Sequence, residues 1–248
     1  MFTSKQELIV YKGVDPEIAA FFVDRAVPKN NAYWKGRYLY VTRGNGFLFI
    51  PLFFDLQLRA GVDRKVLLDE GYVQLMESIM DLAGKYELGE IDFEKHIQAI
   101  DELVSKRSVQ ISLLENLRVY FSKNPPVQIG NIGTNNTALN RGDVFLYLLT
   151  VLPVCEETIN KIIDYWYLLI PSFLMMDDIM DLQDDIEKQE ENSLTFFGYD
   201  AIGIKKALLF LNDNLSKLEE INPTLGRNLK EVVDEKIETT YFKHILNE

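Results

Sequence analysis

Apolar positions fall at helical spacing along most of this chain, and one stretch joins a buried helix to an acidic one. In Phe173 to Glu191, FLMMDDIMDLQDDIEKQEE, an advance of about 100° per residue gathers Asp177, Asp178, Asp181, Asp184 and Asp185 into an arc of about 120°. Met175, Ile179, Leu182 and Ile186 form a greasy stripe on the other side. The preceding YWYLLIPSFLMM, Tyr165 to Met176, is too apolar for a surface helix. The pattern predicts a helix that is buried first and then carries carboxylates at the mouth of a cavity.

From Asp63 onward the other patterned segments are helical too. VLLDEGYVQLMESIMDLA, IDFEKHIQAIDELV and VQISLLENLRVYF come first, then Ala138 to Val151, Glu156 to about Glu190, and two amphipathic helices, IGIKKALLFLNDNLSKLEEI and TLGRNLKEVVDEKIETTYFKHIL. Asn124 to Asn136, rich in Pro, Gly and Asn, is the clear loop. Nearer the start, Asp15 caps a helix with Pro16 at its first position and Ile18, Phe21, Phe22 and Ala26 behind, ended by Pro28 to Asn31. Arg37 to Ile50 has two readings. It forms a β-hairpin turning at Gly44-Asn45-Gly46, or it leads irregularly into a helix through FLFIPLFFDLQLRAG with Pro51 in its first turn. The fold class expected is all-α: an antiparallel helical bundle in one domain over residues 1–248, with 1–45 open to reading as an appendage.

Glu77 to Leu82, ESIMDL, echoes Asp177 to Leu182, DDIMDL, with two changes, and Gln74, Glu77 and Asp81 share a helical face. Either a second, weaker polar ridge faces the first, or two amphipathic helices resemble each other by chance.

Composition narrows the function. With 248 residues and 47% hydrophobic content the chain buries a substantial core, and a net charge of -12 argues against nucleic acid or an anionic membrane as partner. No apolar run is long enough for a transmembrane segment, and the N-terminus lacks a signal-peptide pattern. The expected compartment is the cytoplasm. The single cysteine, Cys155, reads as a small buried hydrophobe, and His96 and His244 read as surface or helix-end residues remote from any triad. Like charges at i,i+3 and i,i+4 destabilise a helix unless solvated or bridged by cations, and carboxylate with water is what Mg²⁺ takes. Asp177, Asp178, Asp181 and Asp184 are therefore candidate metal ligands, with Glu77 and Asp81 weaker ones.

The motif Asp177-Asp178-Ile-Met-Asp181-Leu-Gln-Asp184, preceded by Phe173 in a chain of helices, resembles the second aspartate-rich motif of trans-isoprenyl diphosphate synthases and the wider class I terpenoid synthases. Arg141-Gly142-Asp143 stands where that family places a Lys-Thr on the diphosphate, and Gly46 to Gly61 is similar to its early segment. The resemblance implies Mg²⁺ on the aspartates, Arg141 and Lys188 on phosphate, and Phe173, Tyr167 and Phe53 along an isoprenoid tail.

The departures are as informative. Phe47 to Ile50 replace the family's basic cradle, the first aspartate motif is reduced to Glu77 and Asp81 without its following Arg pair, and Leu174 and Glu190-Glu191 replace the flanking glutamine and Gly-Lys. Chain elongation needs one diphosphate ionised on Mg²⁺ and another pinned by cations, so standard prenyl transfer is not expected. Three readings follow: Mg²⁺-dependent binding and ionisation of a single isoprenoid diphosphate; a catalytically inactive subunit of the same fold, as a homodimer or as a heteromer with a catalytic prenyl synthase; and a helical scaffold with an acidic face.

Overall fold

In a computed structural model residues 3–26 and 48–247 are described, and all regular structure among them is helical. The helices are α1 (Lys5–Val10), α2 (Pro16–Asp24), α3 (Phe49–Ala60), α4 (Arg64–Leu67), α5 (Glu70–Glu87), α6 (Phe93–Ser105), α7 (Ile111–Tyr120), α8 (Glu156–Lys188), α9 (Ala201–Ile221), α10 (Pro223–Ile237) and α11 (Thr240–Asn247). Asp15 caps α2 through the Glu17 and Ile18 amides, and Pro51 sits in the first turn of α3, as the sequence requires. The hairpin considered for 37–50 falls, up to residue 47, outside the described residues. No helix among the described residues is long and apolar enough to cross a membrane.

The core is contiguous from Leu8 to Phe242. The 33-residue α8 runs against α3 on one side and α9 on another, while α5 packs on α6. Pro171 inside α8 donates no backbone hydrogen bond, and the Ser172 hydroxyl donates to the Leu168 carbonyl at 2.6 Å in the turn before it. α10 folds back on α9, and a Cβ on Gly226 would lie 2.5 Å from the Glu219 backbone, so glycine sets that approach. The buried Asp55 carboxylate ties the ends together, accepting from the Asp15 amide, Arg59 Nε and Asn222 Nδ2, while Arg59 donates to the Gly13 and Ile221 carbonyls.

The helices expected over VLLDEGYVQLMESIMDLA and TLGRNLKEVVDEKIETTYFKHIL each break in two, into α4 and α5 and into α10 and α11, and three further expectations change. Ala138 to Val151 forms 3-10 segments, Thr137–Asn140 and Asp143–Val151, in place of an α-helix. A nine-residue 3-10 run is long for its poorer hydrogen-bond geometry, but this one is buried from Asp143 to Thr150 against α5, α6 and α7, so packing holds it. Its Thr150 carbonyl accepts from the Val109 and Gln110 amides, and Gln110 Nε2 donates to the Leu152 and Val154 carbonyls. Cys155 is exposed at the start of α8, because its helix continues the surface before entering the core. His96 is buried at 3% exposure and stacks on Tyr86 with centroids 5.0 Å apart, since α6 turns it inward with Ile100 and Val104.

Candidate functional site

The five aspartates of α8 divide by where their arc meets the core. Asp178 is nearest in angle to Leu182, and it is 4% exposed. Arg141 Nη2 donates to both its oxygens at 3.0 and 3.2 Å, and the Ser193 amide donates to its Oδ2 at 2.8 Å. Asn192 donates to the Asp178 carbonyl and to Asp185 Oδ2 at 2.9 and 2.8 Å, pulling the turn Ser193–Phe196, a short 3-10 segment, against α8. Asp178 and Asp185 therefore clamp the chain that follows the helix. Asp177, Asp181 and Asp184 remain solvent-facing.

Asp177 carries the electrostatic consequence. Partial burial raises its pKa, and the neighbouring Asp181 and Asp178 carboxylates raise it further, with Arg141 opposing and Asp185 adding to the rise. Arg141 is 39% exposed on its side chain, with Nε on the Ala138 carbonyl and Nη2 on Asp178. Glu87, at the end of α5, keeps solvent contact yet is raised by desolvation, and Arg141 draws it back down. A cationic fork thus sits among Glu87, Asp177 and Asp178. Lys188 lies 3.7 Å from Asp184 in an exposed i,i+4 pair and is nearly three turns along α8 from this fork.

The second ridge does not join the first. Glu77 is buried and held by Arg25 in a two-pronged pair, 2.6 and 2.8 Å, with Glu70 on the same guanidinium. Asp81 pairs with Lys85 at 2.9 Å. Local cations thus balance these carboxylates, and among the described residues no group of three or more His, Cys, Asp or Glu side chains is placed to share a metal ion. The donor chemistry still suits Mg²⁺ in one form: Asp177 and Asp181, one turn apart and open to water, can supply two carboxylates to an ion whose remaining ligands are water and a bound phosphate.

The aromatic residues separate similarly. Phe53 is 2% exposed and packs edge-on against Trp166 at 4.7 Å, a core contact, while Phe173 and Tyr167 are half-buried. The Tyr167 hydroxyl belongs to a network centred on Asp143, which is fully buried. Tyr120 and Tyr167 hydroxyls donate to its Oδ2 at 2.6 and 2.8 Å, and Trp166 Nε1 donates to its Oδ1 at 2.9 Å. Burial pushes the Asp143 carboxyl up to about 6 against those three donors. The one sequence signal for this hub is a lone carboxylate opening the apolar VFLYLL. Arg25 and Asn192 carry no such signal, because their importance comes from elements distant in the chain. No family model matches this chain, and neither the curated proteins nor the solved structures contain a match to it.

Proposed function

We propose that this protein binds a single isoprenoid diphosphate in the cytoplasm, with the diphosphate bridged through Mg²⁺ to Asp177 and Asp181 and met directly by Arg141. The observation that carries this reading is the pair of solvent-facing carboxylates, Asp177 and Asp181, one helical turn apart, with the partly exposed Arg141 guanidinium held on the adjacent Asp178. Such an arrangement favours a divalent cation that arrives with its own anionic ligand. Phe173 lies one turn before Asp177 and is available to the tail. Two carboxylates are a short ligand set, so the ion and the diphosphate bind together and neither binds well alone. Ionisation of the substrate would follow only if the bound metal stabilises the departing diphosphate.

A second reading, the catalytically inactive partner subunit, draws on a different observation. Asp178 is committed to Arg141 and Ser193, and Glu77 to Arg25, so the two buried members of the six candidate metal ligands are held in structural pairs. Calorimetric titration with a non-hydrolysable farnesyl diphosphate analogue, with and without Mg²⁺, separates the readings. Binding that requires Mg²⁺ and disappears in Asp177→Asn/Asp181→Asn supports the first. No binding under any condition rejects it, and co-purification with a catalytic prenyl synthase then tests the second.

A further inference from the structure

One face of α9 is spent on the core: Ile204, Ala207, Leu211, Leu215 and Leu218 are buried where the helix packs against α8, α10 and α11. The opposite face of such a helix is expected to be polar. Here it is not. Leu209 is 72% and Ile202 65% exposed, the two most exposed large apolar side chains among the described residues, and they stand one heptad apart on a single line. Phe210 lies beside Leu209, and the turn before α9 adds Phe196 and Tyr199, all partly open to water. Phe197 links the two parts, its ring centroid 5.2 Å from Phe196 and 5.9 Å from Phe210. Single exposed apolar residues are ordinary, but this cluster exposes on the order of 500 Å², at the upper end of what one patch on a monomer shows.

The charges within the patch are arranged about its centre. At about 100° per residue Ile202, Lys206, Leu209, Phe210 and Asp213 fall in an arc of about 100°. Lys206 and Asp213 are one heptad apart, and the point midway between them is also midway between Leu209 and Phe210. A two-fold axis through that point, with two α9 helices antiparallel, sets Lys206 against Asp213 of the second copy on both sides and Leu209 against Phe210 between them. A parallel pair would set Lys206 against Lys206. In its own chain Asp213 accepts from Lys217 through Oδ2 at 2.6 Å, an exposed i,i+4 pair of little worth alone, and its Oδ1 has no partner among the described residues. The exposed face carries three lysines, Lys205, Lys206 and Lys217, against two carboxylates, Asp213 and Glu220. Two chains of net charge -12 therefore meet least repulsion here, and the same near-balance gives an anionic membrane little to hold.

We propose that this face of α9 is the interface of a homodimer, two copies joined antiparallel across Leu209 and Phe210 and kept in register by Lys206 and Asp213. A stable interface takes about 800 Å² from each partner, about three-fifths of it apolar, so the patch supplies the apolar share and the flanking charges the rim. The interface uses no residue of the acidic ridge and stands apart from the diphosphate reading. The test is sedimentation velocity on the full chain from about 1 to 200 μM, where the mass should rise from 28.7 kDa toward twice that value. Leu209→Glu, a change at an exposed side chain, should weaken association at least about tenfold with the far-ultraviolet circular dichroism unchanged. Lys206→Glu and Asp213→Lys should each weaken it about fivefold, and the two together should restore it, because the pair exchanges signs across the axis. A chain that stays monomeric throughout overturns the proposal, including one that instead sediments with phosphatidylcholine–phosphatidylserine vesicles, the result expected of a lipid-facing patch. A dimer untouched by Leu209→Glu overturns it as well, as does a double exchange no tighter than either single one.

Discussion

Two buried titratable groups should conceal one another in any measurement of stability against pH. Asp143 is held at about 6 against an ordinary 3.8, and His96 at about 4 against 6.5, each shifted first by burial. From about pH 4 to 6 the folded chain keeps a proton on Asp143 that the unfolded chain has released, so this contribution falls as pH rises. Over nearly the same window the unfolded chain carries a proton on His96 that the folded chain excludes, so that contribution rises. At about 1.4 kcal/mol per unit, each is worth about 3 kcal/mol, with opposite signs. Removing one exposes the other.

The variants are chosen so that each leaves a foldable chain. His96→Phe loses no hydrogen bond, since neither imidazole nitrogen has a partner, and the aromatic contact with Tyr86 is preserved. Asp143→Asn keeps one acceptor for Trp166, and the two tyrosine hydroxyls can rotate to accept from the amide. Urea unfolding measured from about pH 4 to 7, expressed as the difference from the parent chain, should fall by about 3 kcal/mol with rising pH in His96→Phe and rise by a similar amount in Asp143→Asn. Trp166 donates directly to Asp143, so in a Trp34→Phe background its native-state fluorescence should titrate near pH 6. A difference curve that stays flat for either variant refutes the desolvation argument for that residue.

Other perturbations separate structural from solvent-facing carboxylates. Asp178→Asn should destabilise by about 2 kcal/mol, by weakening a buried pair and a bond to the Ser193 amide, whereas Asp177→Asn should stay within about 0.5 kcal/mol or stabilise; equal urea midpoints would contradict the division of the aspartate arc. Arg25→Ala should lower stability by about 2 kcal/mol, because it removes a two-pronged partner from Glu77 at 3% exposure, and Glu77→Gln should partly restore it. Gly133→Ala should cost about 2 kcal/mol or more through its left-handed backbone and the Tyr120 ring, seen as a lower Tm. Mg²⁺ alone should leave the Tm unchanged, while Mg²⁺ with the diphosphate analogue should raise it.

What the sequence disclosed and what it concealed divide along a physical line. Helical periodicity located α5, α6, α7, α8, α9 and α10, because the apolar stripe that buries a helix is written in residues three and four apart. Asp15 and Pro16 disclosed the start of α2 for the same local reason. Asp143–Val151 misled, because a segment buried on every side has no polar face to give it a period, and α-helical and 3-10 geometry then differ only in packing that distant helices impose.

The site was legible to the same degree and no further. A 120° arc of five carboxylates can be drawn from spacing alone, but which of them face water depends on where the chain goes after the helix ends. Asn192 and Ser193 return to α8 and draw Asp178 and Asp185 into the fold, so a motif that looks uniform in sequence becomes two structural anchors and a three-residue solvent edge. The same logic applies to the echo on α5, where Arg25, fifty-two positions before Glu77, converts an apparent ligand into half of a buried pair. Acidic residues at ligand spacing therefore identify metal sites only after their cationic partners are known. Here that accounting leaves Asp177 and Asp181 as the solvent-facing, one-turn pair on which the proposed diphosphate site rests.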